Sequence, residues 1–232
     1  MAKEYKNSWF LPDMTNIDKA IVNAIEENSA KGNYHRNKGL WLKYAAFIYL
    51  SGARRMEPFL MPPYIYLLRQ EPRVYVIRKV NEKHFNRAGK RIIEDIPWLV
   101  HSDYEMQLFY FLLEGRKEMA LNFDQLLGRR INKDISTEEL RKIGVKITHG
   151  FERNFKMEIT NGEQIKKVGI PIHLLRHLRA YELVVNKGYP PALVQKLVGW
   201  SSMNMVFYYA QIQKAMKQKE ILAMYEKLIN PR

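Results

Sequence analysis

A histidine and an arginine stand three residues apart in PIHLLRH, as His173 and Arg176, and a Gly199–Trp200 pair follows before a Tyr208–Tyr209 doublet. Far upstream, SGARRMEP contributes Arg54. Arginines, an imidazole and a phenol hydroxyl together suit attack on a phosphodiester. The phenol has an ordinary pKa of about 10, so it needs deprotonation or strong stabilisation of its product. The pentacoordinate phosphorus that forms carries added negative charge on its non-bridging oxygens. Arginine matches that charge with a planar fork of donors that stays ionised. His173 lies one helical turn before Arg176 and is placed to shuttle a proton or donate to the phosphate. Taken singly, each of these residues is more often a surface charge or packing, and the chain holds 14 tyrosines. Their order and spacing carry the reading.

These residues must be positioned by elements the sequence also signals. Asn16–Asn28 has helical spacing, with Ile17, Ala20, Ile21, Ala24 and Ile25 on one face. Asn33–Asn37 reads as a polar loop. Gly39–Leu50 is apolar nearly all round, as a buried helix is, and Ser51-Gly52 can end it with a glycine cap. Arg54 then sits just beyond a rigid core element. YIYLL from Tyr64, RVYVIRKV from Arg73 and RIIEDIP from Arg91 predict a small antiparallel sheet of two or three strands, with NEKHFNRAGK as the loop between the last two. Asp103–Leu113 reads as helix, and Phe123–Phe155 as mostly helical and rich in positive charge, with a cap signal at Ser136-Thr137-Glu138-Glu139. Pro171 precedes the helix of His173 and Arg176. Gly188-Tyr189-Pro190-Pro191 breaks the chain before a helix Ala192–Val198, and Met203–Tyr209 and Gln211–Ile229 read as further helix. The expected fold is mainly α with a small antiparallel β-sheet (α+β), in one domain.

Composition narrows the partners. The chain of 232 residues is 47% hydrophobic and 12% aromatic, enough for a real core, and its formal charge is +14. Such an excess of Lys and Arg favours a polyanion, most commonly nucleic acid. There are no cysteines, which excludes disulfide scaffolds, Cys-zinc sites and thiol nucleophiles. The 6 histidines show no metal-ligand spacing, so neither a metal nor a cofactor is expected. MAKEYKNSWF lacks the apolar stretch of a signal peptide, and runs such as LFYFLL are too short to span a membrane. The expectation is a soluble, cytoplasmic, DNA-associated protein.

Three ordered boxes resemble the tyrosine recombinase, or phage-type integrase, family over roughly Asn16–Ile212. SGARRMEPF resembles its first arginine box, with Arg54 at the catalytic arginine and Glu57 at the acidic position. HLLRH is similar to its HxLRH box, which implies that His173 is the general acid/base and Arg176 the second arginine. LVGWSSMNMVFYY resembles the box that ends in the nucleophile. There Trp200 stands where most members have histidine, and Tyr209 falls at the nucleophile's spacing while Tyr208 is one residue off. The family's hairpin lysine is matched best by Lys79 in Ile77-Arg78-Lys79, with Lys83 and Lys90 as rivals. Ala53 and Arg55 depart from the apolar residues usual around the first arginine.

The resemblance implies a DNA breaking-rejoining enzyme that forms a 3′-phosphotyrosyl intermediate on double-stranded DNA. It also implies a homo-oligomer, a tetramer on DNA, of the kind carried by viruses or mobile genetic elements. Residues 1–15 are then an N-terminal extension, 16–209 the catalytic core and 210–232 a C-terminal helix that can dock on a neighbouring protomer. The helical DNA-clamp domain usual in the family is not apparent before the first helix, as in an isolated catalytic domain or a minimal recombinase. The alternatives are DNA relaxation of the type IB topoisomerase kind, or a catalytically silent DNA-binding protein of the same fold.

Overall fold

Apolar side chains occupy almost every position of KGLWLKYAAFIYLS, and the helix they form, α2 (Lys38–Ser51), lies at the centre of the core. In a computed structural model of the chain, the described residues are 11–30, 37–60, 64–67, 73–85, 91–128, 135–161, 163–200, 203, 204, 206–208, 210 and 211. Around α2 pack α1 (Ile17–Ala30), α4 (Asp103–Leu113), α5 (Thr137–Asn154) and α6 (Ile172–Tyr181). A short α3 (Glu57–Leu60) follows α2, and α7 (Pro191–Val198) follows α6. The fold is mainly helical with small antiparallel sheets, as expected.

The termini of these helices follow their local chemistry. Ser102 and Ser136 cap α4 and α5 by accepting from the backbone N–H groups of Glu105 and Glu139, at 3.0 and 3.2 Å. Gly52 ends α2 in the left-handed conformation, φ 58°, with its N–H bonded to the Tyr49 carbonyl. Gly199 ends α7 in the same way at φ 71°. Directly after α6, residues Glu182–Asn186 form a π-helical turn, closed by the Lys187 N–H on the Glu182 carbonyl at 2.9 Å.

The sheets are larger than the sequence predicts. β1 (Tyr64–Leu67), β2 (Val74–Phe85), β3 (Arg91–Leu99) and β4 (Glu118–Ala120) form a four-stranded antiparallel sheet in the order β3-β2-β1-β4. β5 (Lys156–Thr160) and β6 (Ile165–Gly169) form a separate hairpin. Two expectations are corrected. There are four strands in the main sheet rather than two or three. NEKHFNRAGK is not all loop, because β2 continues to Phe85, with a register break between Val80 and Phe85. The Phe123–Phe155 stretch is mostly helical in its described residues, as expected, with a 3₁₀ turn at Asp124–Leu126 and α5 from Thr137.

Of the expected helix Met203–Tyr209, residues 204 and 206–208 are helical, as are 210 and 211. Tyr209, Lys90, residues 1–10 of the expected N-terminal extension and residues 212–232 of the expected C-terminal helix lie outside the described residues.

Candidate functional site

The glycine that ends α2 turns the chain so that Arg54 leaves the core beside the end of α7. A Cβ on Gly52 would lie 3.1 Å from Val198, so only glycine lets the two helix ends approach this closely. Glu57, buried in the first turn of α3, then grips Arg54 from both ends. Its carboxylate accepts from the Arg54 backbone N–H at 2.7 Å, in the reach-back manner of a capping box, and from the Arg54 Nη1 at 2.9 Å. The Arg54 side chain keeps 18% of its surface exposed.

Arg176 enters the same place from α6 and is buried. Its Nη1 donates to the Gly52 carbonyl at 2.7 Å and its Nη2 to the Gly199 carbonyl at 3.2 Å. Arg54 Nη2 donates to that same Gly199 carbonyl at 3.4 Å. Two guanidinium groups therefore converge on one backbone oxygen, with one carboxylate, Glu57, beside them. Burial lowers the Arg176 pKa to about 10, and repulsion from Arg54 adds to the shift while Glu57 opposes it. Arg176 stays charged at neutral pH, and the excess positive charge is what an anion entering the site would relieve.

Trp200, half-buried, stacks its ring near Arg176, with the guanidinium carbon 5.7 Å from the ring centroid. His177 lies 6.3 Å from the same indole, and its pKa is lowered by burial and then by His173 and Arg176. His173, in the first turn of α6, is exposed and meets His177 edge-on at 6.0 Å. Arg54, Arg176 and Trp200 thus meet directly, and His173 joins them through His177. Lys79 and Lys83 lie on β2, where Lys79 stands opposite Glu94 of β3.

Arg55, the unusual neighbour of Arg54, has a structural task. Its Nη1 donates to Thr148 of α5 at 3.0 Å, and its guanidinium lies over Gly144, where an added Cβ would come within 2.6 Å. Tyr44 holds the Arg55 carbonyl at 2.7 Å. The arginine loop is pinned to α5, whose exposed face carries Arg141, Lys142, Lys146 and Arg153. Sequence reasoning missed the Gly199 carbonyl, because a backbone acceptor leaves no residue-type signal beyond the glycine itself.

No family model matches the chain, and no curated protein matches it. Among solved structures it is similar to a XerH site-specific recombinase bound to difH substrate in a pre-cleavage complex, at 16% identity and TM-score 0.44, covering 90% of this chain and 52% of that one. It is also similar to a fragment of the Tn1549 transposon integrase in complex with transposon right end DNA, at 13% identity and TM-score 0.44, covering 96% of this chain and 68% of that one. The chain spans about half the length of the first of these structures. Among the described residues, no helix is long and apolar enough to cross a membrane.

Proposed function

We propose that the chain is a site-specific DNA recombinase or integrase that works through a phosphotyrosyl intermediate. The observation that carries this reading is the convergence of Arg54 and Arg176 on the Gly199 carbonyl. It sets two forked donors, from distant parts of the chain, where the non-bridging oxygens of a phosphodiester would replace a backbone oxygen. Box order, a formal charge of +14 and the basic face of α5 support a DNA partner.

The reaction balances without an added cofactor. The Tyr209 oxygen attacks phosphorus and gives up its proton to a base, for which His173 is the candidate. The P–O5′ bond breaks, leaving a 3′-phosphotyrosyl link and a 5′-hydroxyl protonated by a hairpin lysine, Lys79 or its rivals Lys83 and Lys90. A 5′-hydroxyl from a partner strand then attacks the phosphotyrosine and releases Tyr209. The diester energy is kept in the covalent link, so no nucleotide hydrolysis is needed. Arg54 and Arg176 hold the charge that develops, and Trp200 covers Arg176. Exchange between two duplexes calls for several protomers, and the apolar stripe of Gln211–Ile229 fits helix docking between them.

The test is incubation with a pool of nicked duplexes of randomised sequence, followed by denaturing gel analysis. A covalent protein–DNA band that disappears in Tyr209→Phe and survives in Tyr208→Phe is the expected result. A band that persists in Tyr209→Phe overturns the nucleophile assignment. The absence of any band with the parent chain favours a silent DNA-binding protein, and relaxation of plasmids of any sequence favours the topoisomerase reading.

A further inference from the structure

One turn beyond Arg176 on α6, Arg179 is wholly enclosed, with a side-chain exposure of 0%. Arginine is almost never so deeply buried unless paired. Its Nη1 donates to Asp18 of α1 at 3.1 Å, and its Nη2 pairs with Glu105 of α4. Its guanidinium carbon lies 4.4 Å from the centroid of Trp98 on β3 and 5.2 Å from that of Tyr49 on α2. Lys187, just past the π-helical turn, donates to Asp18 Oδ2 at 2.7 Å and lies 3.6 Å from Glu105. The Tyr49 hydroxyl donates to Asp18 at 2.6 Å, and the Trp98 indole N–H donates to Glu105 at 3.0 Å. Four elements besides α6 therefore meet at one side chain.

The two α6 arginines hold the same piece of α2. Arg179 lies under the ring of Tyr49, and Arg176 donates to the carbonyl of Gly52 at 2.7 Å. Tyr49 and Gly52 belong to one turn, since the Gly52 N–H bonds to the Tyr49 carbonyl at 3.4 Å. That turn ends two residues before Arg54. Sliding or rotating α6 against α2 would break both grips at once and change the separation of Arg54 from Arg176.

The geometry points to Arg179 as a positioning residue: its buried ionic cluster sets the register of α6 against the last turn of α2, and so the spacing of the two phosphate-binding arginines. This rests on the strand-transfer reading for its catalytic consequence, though not for the register itself. Ionic pairing favours the charged forms throughout the cluster. Burial opposes the charge on Arg179, but Glu105, Tyr49 and Asp18 outweigh it and hold its pKa above the ordinary value. Asp18 and Glu105 stay below theirs because Arg179 and Lys187 outweigh burial. Its Nε finds no acceptor among the described residues. An apolar core would avoid that cost, so the cluster is better explained by directional specificity than by stability.

The test uses the charge-balanced pair Arg179→Met with Glu105→Gln in the full chain, which leaves Asp18 matched by Lys187. Single-turnover formation of the covalent adduct at saturating DNA is compared with DNA affinity and with the melting temperature. A displacement of about 1 Å at such a site costs on the order of 100-fold in rate. The expected result is that loss in adduct formation, at a temperature where the variant is folded, with DNA affinity within about twofold. Adduct formation within about threefold of the parent overturns the proposal, because a purely structural role moves the melting temperature alone. Should the pair not fold, Tyr49→Phe removes only the hydroxyl that ties α2 to Asp18. It is expected to lower adduct formation about tenfold with affinity unchanged, and unaltered formation counts against the proposal.

A second readout does not depend on activity. Exchange of the Arg176 guanidinium protons, followed by NMR, is expected to be slow in the parent, where Nη1 holds the Gly52 carbonyl at 2.7 Å, and to accelerate in the variants when that bond loosens. Unchanged exchange overturns the register claim. If the parent forms no adduct and the variants still show this acceleration, the register stands and the strand-transfer reading is removed.

Discussion

Arg54 and Arg176 donate to one acceptor, the Gly199 carbonyl, at 3.4 and 3.2 Å. Each also has a shorter hydrogen bond, to Glu57 for Arg54 and to the Gly52 carbonyl for Arg176. The shared oxygen is the longer bond for each, so under the strand-transfer reading it is the one an incoming phosphate would displace while the other partners keep both side chains aimed.

Replacing either arginine by lysine keeps charge and loses the fork. For Arg176→Lys and Arg54→Lys, adduct formation is expected to fall about 10²–10³-fold, the usual effect of removing a preorganised donor. DNA affinity changes by only a few fold, because most of it comes from other phosphate contacts. Rapid-quench single-turnover assays with parallel binding titrations check this. A loss of affinity that accounts for the whole rate effect would contradict the assignment.

Trp200→Ala removes the ring beside Arg176 and His177. Cation–π stabilisation of about 0.5–2 kcal/mol predicts a loss of roughly tenfold in adduct formation, with Trp200→Phe recovering most of it. If Trp200→Phe is as impaired as Trp200→Ala, the indole N–H rather than the ring face is the working group.

Gly52→Ala places an L side chain at φ 58° with its Cβ 3.1 Å from Val198. The left-handed conformation alone costs about 1–2 kcal/mol. Urea unfolding is expected to show a lower midpoint at unchanged slope. Adduct formation should fall as well, since the same residue carries the Arg176 acceptor.

Stability should fall in two stages on acidification. His177 and His101 have pKa values lowered by burial from the ordinary 6.5, so the unfolded chain takes up their protons first and stability declines as pH drops below that value. Asp18 and Glu105 lie below their ordinary 3.8 and 4.5 because Arg179 and Lys187 outweigh burial; their contribution is complete above those values and is lost below them. Glu182, raised by burial and Asp18, works in the opposite sense, its contribution being present below 4.5 and lost as pH rises through its folded value. Melting temperatures from about pH 8 to about pH 3 follow both stages, and Asp18→Asn should blunt the second.

Periodicity and capping made much of the helical frame legible. The apolar run Gly39–Leu50, the Ser136 cap, the Gly52 stop and the helix over Asp103–Leu113 all appear as read. The β5–β6 hairpin was hidden because KMEIT and IKKVG are short and lysine-bearing, and β4 because EMA has no strand-forming run. β2 outran its expected end because NEKHF is polar and lacks strand propensity, its pairing to β3 resuming at Phe85 opposite Arg91. In the site, Arg54, Arg176 and Trp200 were found by order and spacing, and the structure brings them together. Asp18, Glu105 and Arg179 stand on three separate helices with no sequence signal that joins them, and only tertiary packing makes them one buried group.

The π-helical turn at Glu182–Asn186 holds one more residue than an α-helical turn would. It therefore acts as a phase setter between α6, which carries Arg176 and Arg179, and α7, which Gly199 caps. Deleting one residue there would restore α-helical register and rotate everything downstream by about 100°. Asn186 would leave the Met14 carbonyl, Lys187 would leave Asp18, and Gly199 would swing away from both guanidiniums. A one-residue deletion at a distance from the phosphate site would thus be as damaging as losing an arginine, whereas indels between β5 and β6, beside the exposed Glu163 and Gln164, should be tolerated.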